Sequence, residues 1–155
     1  MQQLFLILLI TCSFTRFAEA ADNPVPQVVA RQFAQRYPGV EVALWEDQGN
    51  GHMAAHFPSA QGLKTAVFHA NGQWIYTSLR LNPILLPEGI YELLRQPPHG
   101  ARLTFSGKVF NDDQSWYRLE YELQDRLIRR DVDGQGQLLR EEVISYSLPA
   151  TTALP

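Results

Sequence analysis

The stretch Val67-Phe-His-Ala-Asn-Gly-Gln-Trp74 recurs later in the chain as Asp131-Val-Asp-Gly-Gln-Gly-Gln-Leu138. In each copy a glycine is followed by glutamine and a large apolar residue, and the two glycines, Gly72 and Gly136, lie 64 positions apart. A glycine between two alternating segments is typical of a hairpin turn, because glycine adopts the positive φ angles that such turns need. The recurrence predicts two copies of one structural unit.

The same order of patterns precedes both turns. In the first copy, apolar residues spaced four apart predict an amphipathic helix over residues 24–37, which Pro38-Gly39 ends. In the second copy, a shorter helix is predicted over residues 87–95 and is ended by Pro97-Pro-His-Gly100. Four short segments with strand character follow each helix, over residues 40–45, 52–57, 63–68 and 74–81, and over residues 101–105, 117–123, 127–132 and 138–144.

These patterns predict an α+β protein made of two tandem α-β-β-β-β repeats, over about residues 24–81 and 85–146. Short turns favour antiparallel hairpins, so the strands should form one antiparallel sheet of about eight strands with both helices on one face. We predict a single domain over residues 21–147 and a flexible tail rich in proline, alanine and threonine over residues 148–155.

The first 20 residues have the pattern of a secretory signal. An apolar run over residues 4–10 is followed by Ala18-Glu-Ala20, which has the small-x-small form that signal peptidases cleave. Cleavage near Ala20 predicts a periplasmic or secreted protein without a membrane span in the mature chain. Cys12 is the only cysteine, so the mature chain is expected to lack disulfides; lipidation at Cys12 is the alternative. The formal net charge of −3 argues against nucleic-acid binding.

The chain also resembles a known group of bacterial proteins. A helix that closes on Tyr37-Pro-Gly-Val40, a strand that carries Trp45-Glu46, and the two glycine turns resemble the PepSY-like group, which is related in fold to the β-lactamase inhibitor protein. The resemblance covers nearly the whole mature chain, although the second copy has Pro97-Pro-His-Gly100 where Tyr-Pro-Gly is expected. It implies an exported protein that binds or inhibits another protein through a sheet surface.

The segment from Asp131 to Glu142 also reads like a twelve-residue calcium loop. Its side-chain ligands would be Asp131, Asp133, Gln135 and Glu142. The matching loop of the first copy, over residues 69–73, keeps the glycine but lacks the acids, so the shared constraint is the geometry of a turn. A hairpin turn is therefore the favoured interpretation, and weak cation binding is the alternative.

No reaction centre is predicted. The two histidines of His52-Met-Ala-Ala-His56 have the spacing of a helical zinc pair, but on a strand they would lie roughly 13 Å apart, too far for one ion. The serines lack a nucleophile elbow, and no phosphate-binding glycine loop precedes a helix. We therefore predict that the protein is not an enzyme and needs no cofactor.

Aromatic and arginine residues suggest a binding surface instead. Three sets of alternating residues are expected to face the helices: Val40, Val42 and Leu44; Ile75, Leu79 and Leu81; and Tyr117, Leu119 and Tyr121. Strict alternation then places all three tryptophans and Tyr76 on the other face of the sheet, beside Arg80 and Arg118. The predicted partner-binding residues are Trp45, Trp74, Tyr76, Trp116, Arg80 and Arg118, which belong to the types enriched at interface hot spots. Large aromatics also cover exposed sheets without any partner.

The predicted function is an exported, non-enzymatic module that binds or inhibits another cell-envelope protein. A periplasmic protein that binds a small ligand or a divalent cation such as calcium is the alternative.

Overall fold

The structure is a computed structural model that describes residues 25–146. The predicted signal segment, Cys12 and residues 148–155 lie outside these residues. The elements follow one another as α1 (Gln27–Arg36), β1 (Leu44–Gly49), β2 (His52–Ser59), β3 (Gly62–His69), β4 (Trp74–Arg80), α2 (Glu88–Leu94), β5 (Arg102–Phe110), β6 (Ser115–Leu123), β7 (Arg126–Val132) and β8 (Leu138–Ser145). A single 3-10 turn over Pro83–Leu85 leads from β4 towards α2.

The eight strands form one sheet in which each strand pairs antiparallel with the next along the chain, from β1 to β8. Both helices pack on the same face of this sheet. The predicted fold class is confirmed: each half of the chain has the order α-β-β-β-β, and β4 pairs with β5 to join the two halves into one sheet. We call the other face, on which no helix of residues 25–146 packs, the open face.

The helix α1 covers the first half of the sheet. Its inner side packs with β2 and β3 in one cluster of apolar and aromatic side chains, which we call the α1 cluster: Val29, Phe33, Met53, Ala55, Phe57, Ala66 and Phe68. Val29 and Phe33 lie four positions apart on its inner side and are 0% and 3% exposed, as the sequence spacing predicts. The ring of Phe33 lies 5.2 Å from that of Phe57 in an edge-to-face arrangement, and 6.3 Å from that of Phe68. Such aromatic pairs add about 0.5–1.5 kcal/mol to the effect of burial alone.

The shorter helix α2 covers the second half. Its seven residues form only two turns, and Ile90 is its one fully buried side chain. Ile90 packs with Leu86 from the connecting segment and with Leu119, Tyr121 and Val132 from the sheet. A helix this short has little stability of its own, so its position depends on this packing.

Tyr121 is buried among these apolar residues at 1% exposure, and its hydroxyl finds no hydrogen-bond partner within residues 25–146. Burial raises the pKa of this hydroxyl above its ordinary value of about 10, and the charge of Arg130 opposes the rise.

We expect Tyr121→Phe to raise the free energy of unfolding by about 1 kcal/mol at pH 7, because it removes a buried unsatisfied hydroxyl. Because folding raises this pKa, the unfolded chain loses the hydroxyl proton at a lower pH than the folded chain does, so the free energy of unfolding falls as pH rises from the unfolded pKa towards the folded pKa. The fall in stability above pH ~10 should therefore be shallower in the variant. Urea unfolding at pH 7 and at alkaline pH measures both effects, with the exposed Tyr146→Phe as control. A less stable variant would contradict this account.

The two glycine turns have equivalent geometry. His69 N donates to Gln73 O at 2.8 Å in the first, and Asp133 N donates to Gln137 O at 3.0 Å in the second. Gly72 and Gly136 have φ angles of +92° and +85°. Residues other than glycine rarely adopt φ angles in this region. Each turn also packs closely against the helix of its own half of the chain. A Cβ atom at Gly72 would lie 2.7 Å from Val28, and one at Gly136 would lie 2.6 Å from the carbonyl oxygen of Gly89.

We expect Gly136→Ala to lower the free energy of unfolding by about 2 kcal/mol, because the positive φ angle and the contact with α2 both oppose a side chain. Gly134→Ala is the matched control, since a Cβ atom there meets nothing within 4 Å. Denaturant unfolding of the two variants measures the difference. Equal stabilities would show that this turn does not constrain the fold.

Candidate interface on the open sheet face

The structure divides the predicted binding residues between the two faces of the sheet. Tyr76 on β4 pairs with Val67, and Trp116 and Arg118 on β6 pair with Val109 and Gly107. Tyr76, Trp116 and Arg118 lie on the open face, as predicted, and there they line one depression. Arg80 also lies on this face, at the far end of β4, where its guanidinium donates to Thr104 O at 2.9 Å.

The predicted orientation of Trp45 is wrong. Trp45 packs against the α1 cluster, where its ring lies 5.6 Å from that of Phe33. Strict alternation from Val40 fails because β1 begins only at Leu44. Val42 also packs against the α1 cluster, so Val42 and Trp45, three positions apart, face the same side. Leu44, predicted to face the helices, is instead 60% exposed.

The predicted orientation of Trp74 is also wrong, and the cause is a β-bulge. Phe68 pairs with Trp74 and Val67 pairs with Tyr76, so Ile75 is an extra residue in the ladder. One extra residue reverses the alternation, which turns Trp74 towards the helices while Tyr76 stays on the open face. There the guanidinium of Arg36 lies 3.4 Å from the centre of the Trp74 ring, and Trp74 Nε1 donates to Thr77 Oγ1 at 3.1 Å.

The second half has the same bulge. Asp131 pairs with Arg140 and Val132 pairs with Leu138, so Leu139 is skipped. Leu139 lies 64 positions after Ile75, the same interval that separates the two turn glycines. Both residues line the depression on the open face. The repeat therefore places two apolar side chains on this surface that simple alternation assigns to the other face.

A buried ion pair joins β6 and β7 on the open face. Arg118 on β6 is opposite Asp131 on β7, and its Nε and Nη2 donate to the two carboxylate oxygens at 2.7 and 3.0 Å. The two side chains are only 9% and 10% exposed. Burial by itself lowers the pKa of the Arg118 guanidinium, but the hydrogen bonds and charge of Asp131 more than offset this and raise that pKa above its ordinary value. The guanidinium also lies 5.1 Å from the centre of the Tyr76 ring.

A row of alternating charges continues from this pair. Arg129 donates to Glu120 at 2.8 Å and to Glu142 at 3.4 Å, and Arg140 also contacts Glu142 at 3.4 Å. These residues and the pair of Arg118 and Asp131 occupy neighbouring positions in the register of β6, β7 and β8, and we call the six residues together the charge ladder. Mutually paired side chains have fewer accessible rotamers, so the charge ladder presents a pre-organised surface.

The residues of the calcium-loop alternative do not converge on one point. Asp131 and Glu142 bind arginines of the charge ladder, as described above. One carboxylate oxygen of Asp133 accepts from the backbone amides of Gln135 and Gln137, both at 2.9 Å, and so closes the turn. Among residues 25–146 no group of three or more acidic, histidine or cysteine side chains is arranged to hold a metal ion.

The depression on the open face has a volume of about 740 Å³ and extends from Gln48 on β1 to Glu142 on β8. A second depression of about 320 Å³ adjoins it and shares Tyr76 and Arg118. Trp116 lines the larger one; its Nε1 is buried and has no hydrogen-bond partner in the described part of the chain. The open face therefore combines aromatic rings, apolar side chains from the bulges and fixed charges.

Solved structures share this fold. A DUF2874 family protein from Bacteroides ovatus is 22% identical, with 78% of this chain and 89% of that chain covered and a TM-score of 0.59. A BLIP-like protein from Bacteroides fragilis is 19% identical, with 85% and 94% covered and a TM-score of 0.57. A DUF2874 family protein from Bacteroides uniformis is 16% identical, with 79% and 92% covered and a TM-score of 0.60.

The chain thus has the fold of BLIP-like and DUF2874 proteins, and at these identities the likeness concerns the fold alone. No protein-family model and no curated protein matches the sequence. Neither helix in the described part of the chain has the length and apolar character that crossing a membrane requires.

Proposed function

We propose that this protein is an exported, non-enzymatic module that binds another protein of the cell envelope with the open face of its sheet. The observation that carries the proposal is the grouping of Trp116, Tyr76 and Arg118 in one depression on a sheet face that no helix of residues 25–146 covers. Tryptophan, tyrosine and arginine are the residues most enriched at the energetic centres of protein interfaces, where they are enclosed by a less critical rim.

The shape of the surface favours a protein over a small ligand. Pockets for small molecules enclose most of the ligand and are lined mainly by apolar groups. Here the lining extends across the sheet from β1 to β8 and includes the charges of Arg118, Arg129 and Arg140. A stable interface buries about 800 Å² on each partner, which requires a broad surface of this kind.

Export is supported by the signal pattern over residues 1–20, and the PepSY-like resemblance also points to an exported binding protein. Calcium binding at the segment from Asp131 to Glu142 is not favoured, because its acidic side chains are engaged by arginines and backbone amides. The partner is proposed to contact Tyr76 and Trp116, which lie beside the buried pair of Arg118 and Asp131, rather than Trp45 and Trp74 on the helix side.

Site-specific photocrosslinking in the native envelope tests this proposal. The photoreactive residue p-benzoylphenylalanine would replace Leu139, which is 60% exposed beside the open-face depression. The matched control places it at Arg31, which is exposed on α1 on the other side of the molecule. We expect one discrete crosslinked protein from position 139 and none from position 31. A crosslink from position 31 only, or from neither position, would contradict the proposal.

A further inference from the structure

Two histidines that are distant in the sequence lie side by side on the open face. His52 on β2 is directly opposite His69 on β3 in the sheet register. Their ring centres are 4.7 Å apart, with an angle of 48° between the ring planes. In the sequence, the spacing of a metal-binding pair is found instead between His52 and His56, which both lie on β2. The relevant pair is formed across the hairpin.

The ring nitrogens of this pair are available. The rings of His52 and His69 contact each other, and neither makes a hydrogen bond or ion pair to another residue of 25–146. His56 differs, because its Nε2 contacts Glu46 at 2.9 Å and its Nδ1 contacts Thr65 at 3.0 Å. His99 lies alone in the exposed connection between α2 and β5. Of the four histidines in the chain, only His52 and His69 combine proximity with unengaged nitrogens.

The distance between the ring centres of His52 and His69 fits two ligands of one metal ion. Metal–nitrogen bonds are about 2.0–2.1 Å, and the centre of an imidazole lies about 1.1 Å beyond the bound nitrogen, so two ligands at 90–109° place their ring centres about 4.5–5.2 Å apart. The observed 4.7 Å lies within this range. The rings still have to turn to aim their nitrogens at a common point, and the final torsion of a histidine side chain permits this without movement of the backbone.

We propose that His52 and His69 form a two-histidine site for a divalent transition-metal ion, with Cu²⁺ bound more tightly than Ni²⁺ or Zn²⁺. Imidazole is a favourable ligand for all three ions, and affinity for a given nitrogen site generally rises to a maximum at copper. Both rings line the open-face depression, so water can fill the remaining coordination positions. The site does not depend on the proposed protein partner, because both ligands come from this chain.

Titration of the untagged full-length mature protein with Cu²⁺ alone tests the site. Calorimetry should show one bound ion, and the electron paramagnetic resonance spectrum should show coupling to two imidazole nitrogens. We expect His52→Ala or His69→Ala to weaken binding at least tenfold, since loss of even an outer partner of a ligand costs about 10–100-fold. His56→Ala and His99→Ala are matched controls and should bind as the wild type does.

Two results would overturn the inference. The first is equal Cu²⁺ affinity in all four variants, which would place the ion elsewhere, for example on the terminal amine. The second is the absence of any binding by the wild type, which would mean that the two rings only pack together. Circular dichroism establishes that each variant is folded, and His52→Gln and His69→Gln retain a side chain of similar length if the alanine variants unfold. The copper titration does not involve a protein partner. A failure of copper binding can therefore be distinguished from a failure of the crosslinking experiment.

Discussion

Replacing Arg118 by methionine should lower the free energy of unfolding by about 3–5 kcal/mol, because it leaves the carboxylate of Asp131 buried without its partner. The two side chains are joined by two hydrogen bonds and are almost fully buried. Removal of one member of such a pair is far more costly than removal of both, since the remaining charge has lost its water as well as its counter-ion. Urea unfolding at neutral pH measures the loss.

Two controls make this prediction specific. Arg118→Met combined with Asp131→Leu removes both charges and should recover most of the lost stability. Arg140→Met changes an arginine that is 66% exposed and whose contact with Glu142 is 3.4 Å, and it should cost no more than about 1 kcal/mol. If Arg118→Met and Arg140→Met had similar stabilities, the carboxylate of Asp131 would not depend on Arg118 for its burial, and this prediction would be wrong.

The second large effect is expected in partner binding. Once the crosslinked protein is purified, Trp116→Ala and Tyr76→Ala should each raise the dissociation constant at least thirtyfold, equivalent to about 2 kcal/mol. Trp116 is expected to matter because it lines the open-face depression and tryptophan is among the residue types most enriched at the energetic centres of interfaces. Tyr76 is expected to matter because it lies against the buried Arg118.

Surface plasmon resonance with the purified partner measures these affinities. Gln114→Ala is the matched control, because Gln114 is exposed and lines the same depression, and residues of an interface rim contribute little. Equal losses in all three variants would point to a general disturbance of the sheet. No loss in Trp116→Ala and Tyr76→Ala would remove these residues from the interface.

The fold was predictable because its signals are local. The glycine turns, the helix spacing and the short alternating segments each depend on a few neighbouring residues, and their repetition strengthened every assignment. The orientation of Trp45 and Trp74 was not predictable from alternation, because a late strand start and a single bulge each reverse it. Trp74, Ile75 and Tyr76 are three consecutive large side chains, so the sequence does not show where the alternation reverses.

The charge ladder was missed for a different reason. Which residues lie opposite each other depends on the turn between two strands, and the turn over residues 124–125 is only two residues long. Gln124 has a φ angle of +39°, and turns of this length fix the register of a hairpin. Had that turn been recognised, the opposition of Arg118 and Asp131 would have followed from the sequence. The contact between His52 and His69 follows in the same way from the register of β2 and β3.

The central claim is that the partner occupies the open face, and the three tryptophans report on this directly. Trp116 lies on the open face, whereas Trp45 and Trp74 pack on the helix side. Fluorine nuclear magnetic resonance of protein labelled with 5-fluorotryptophan gives a separate signal for each. Our account predicts that the purified partner shifts the Trp116 signal and leaves those of Trp45 and Trp74 unchanged. A shift of Trp45 or Trp74 with an unchanged Trp116 would place the interface on the helix side and contradict the account.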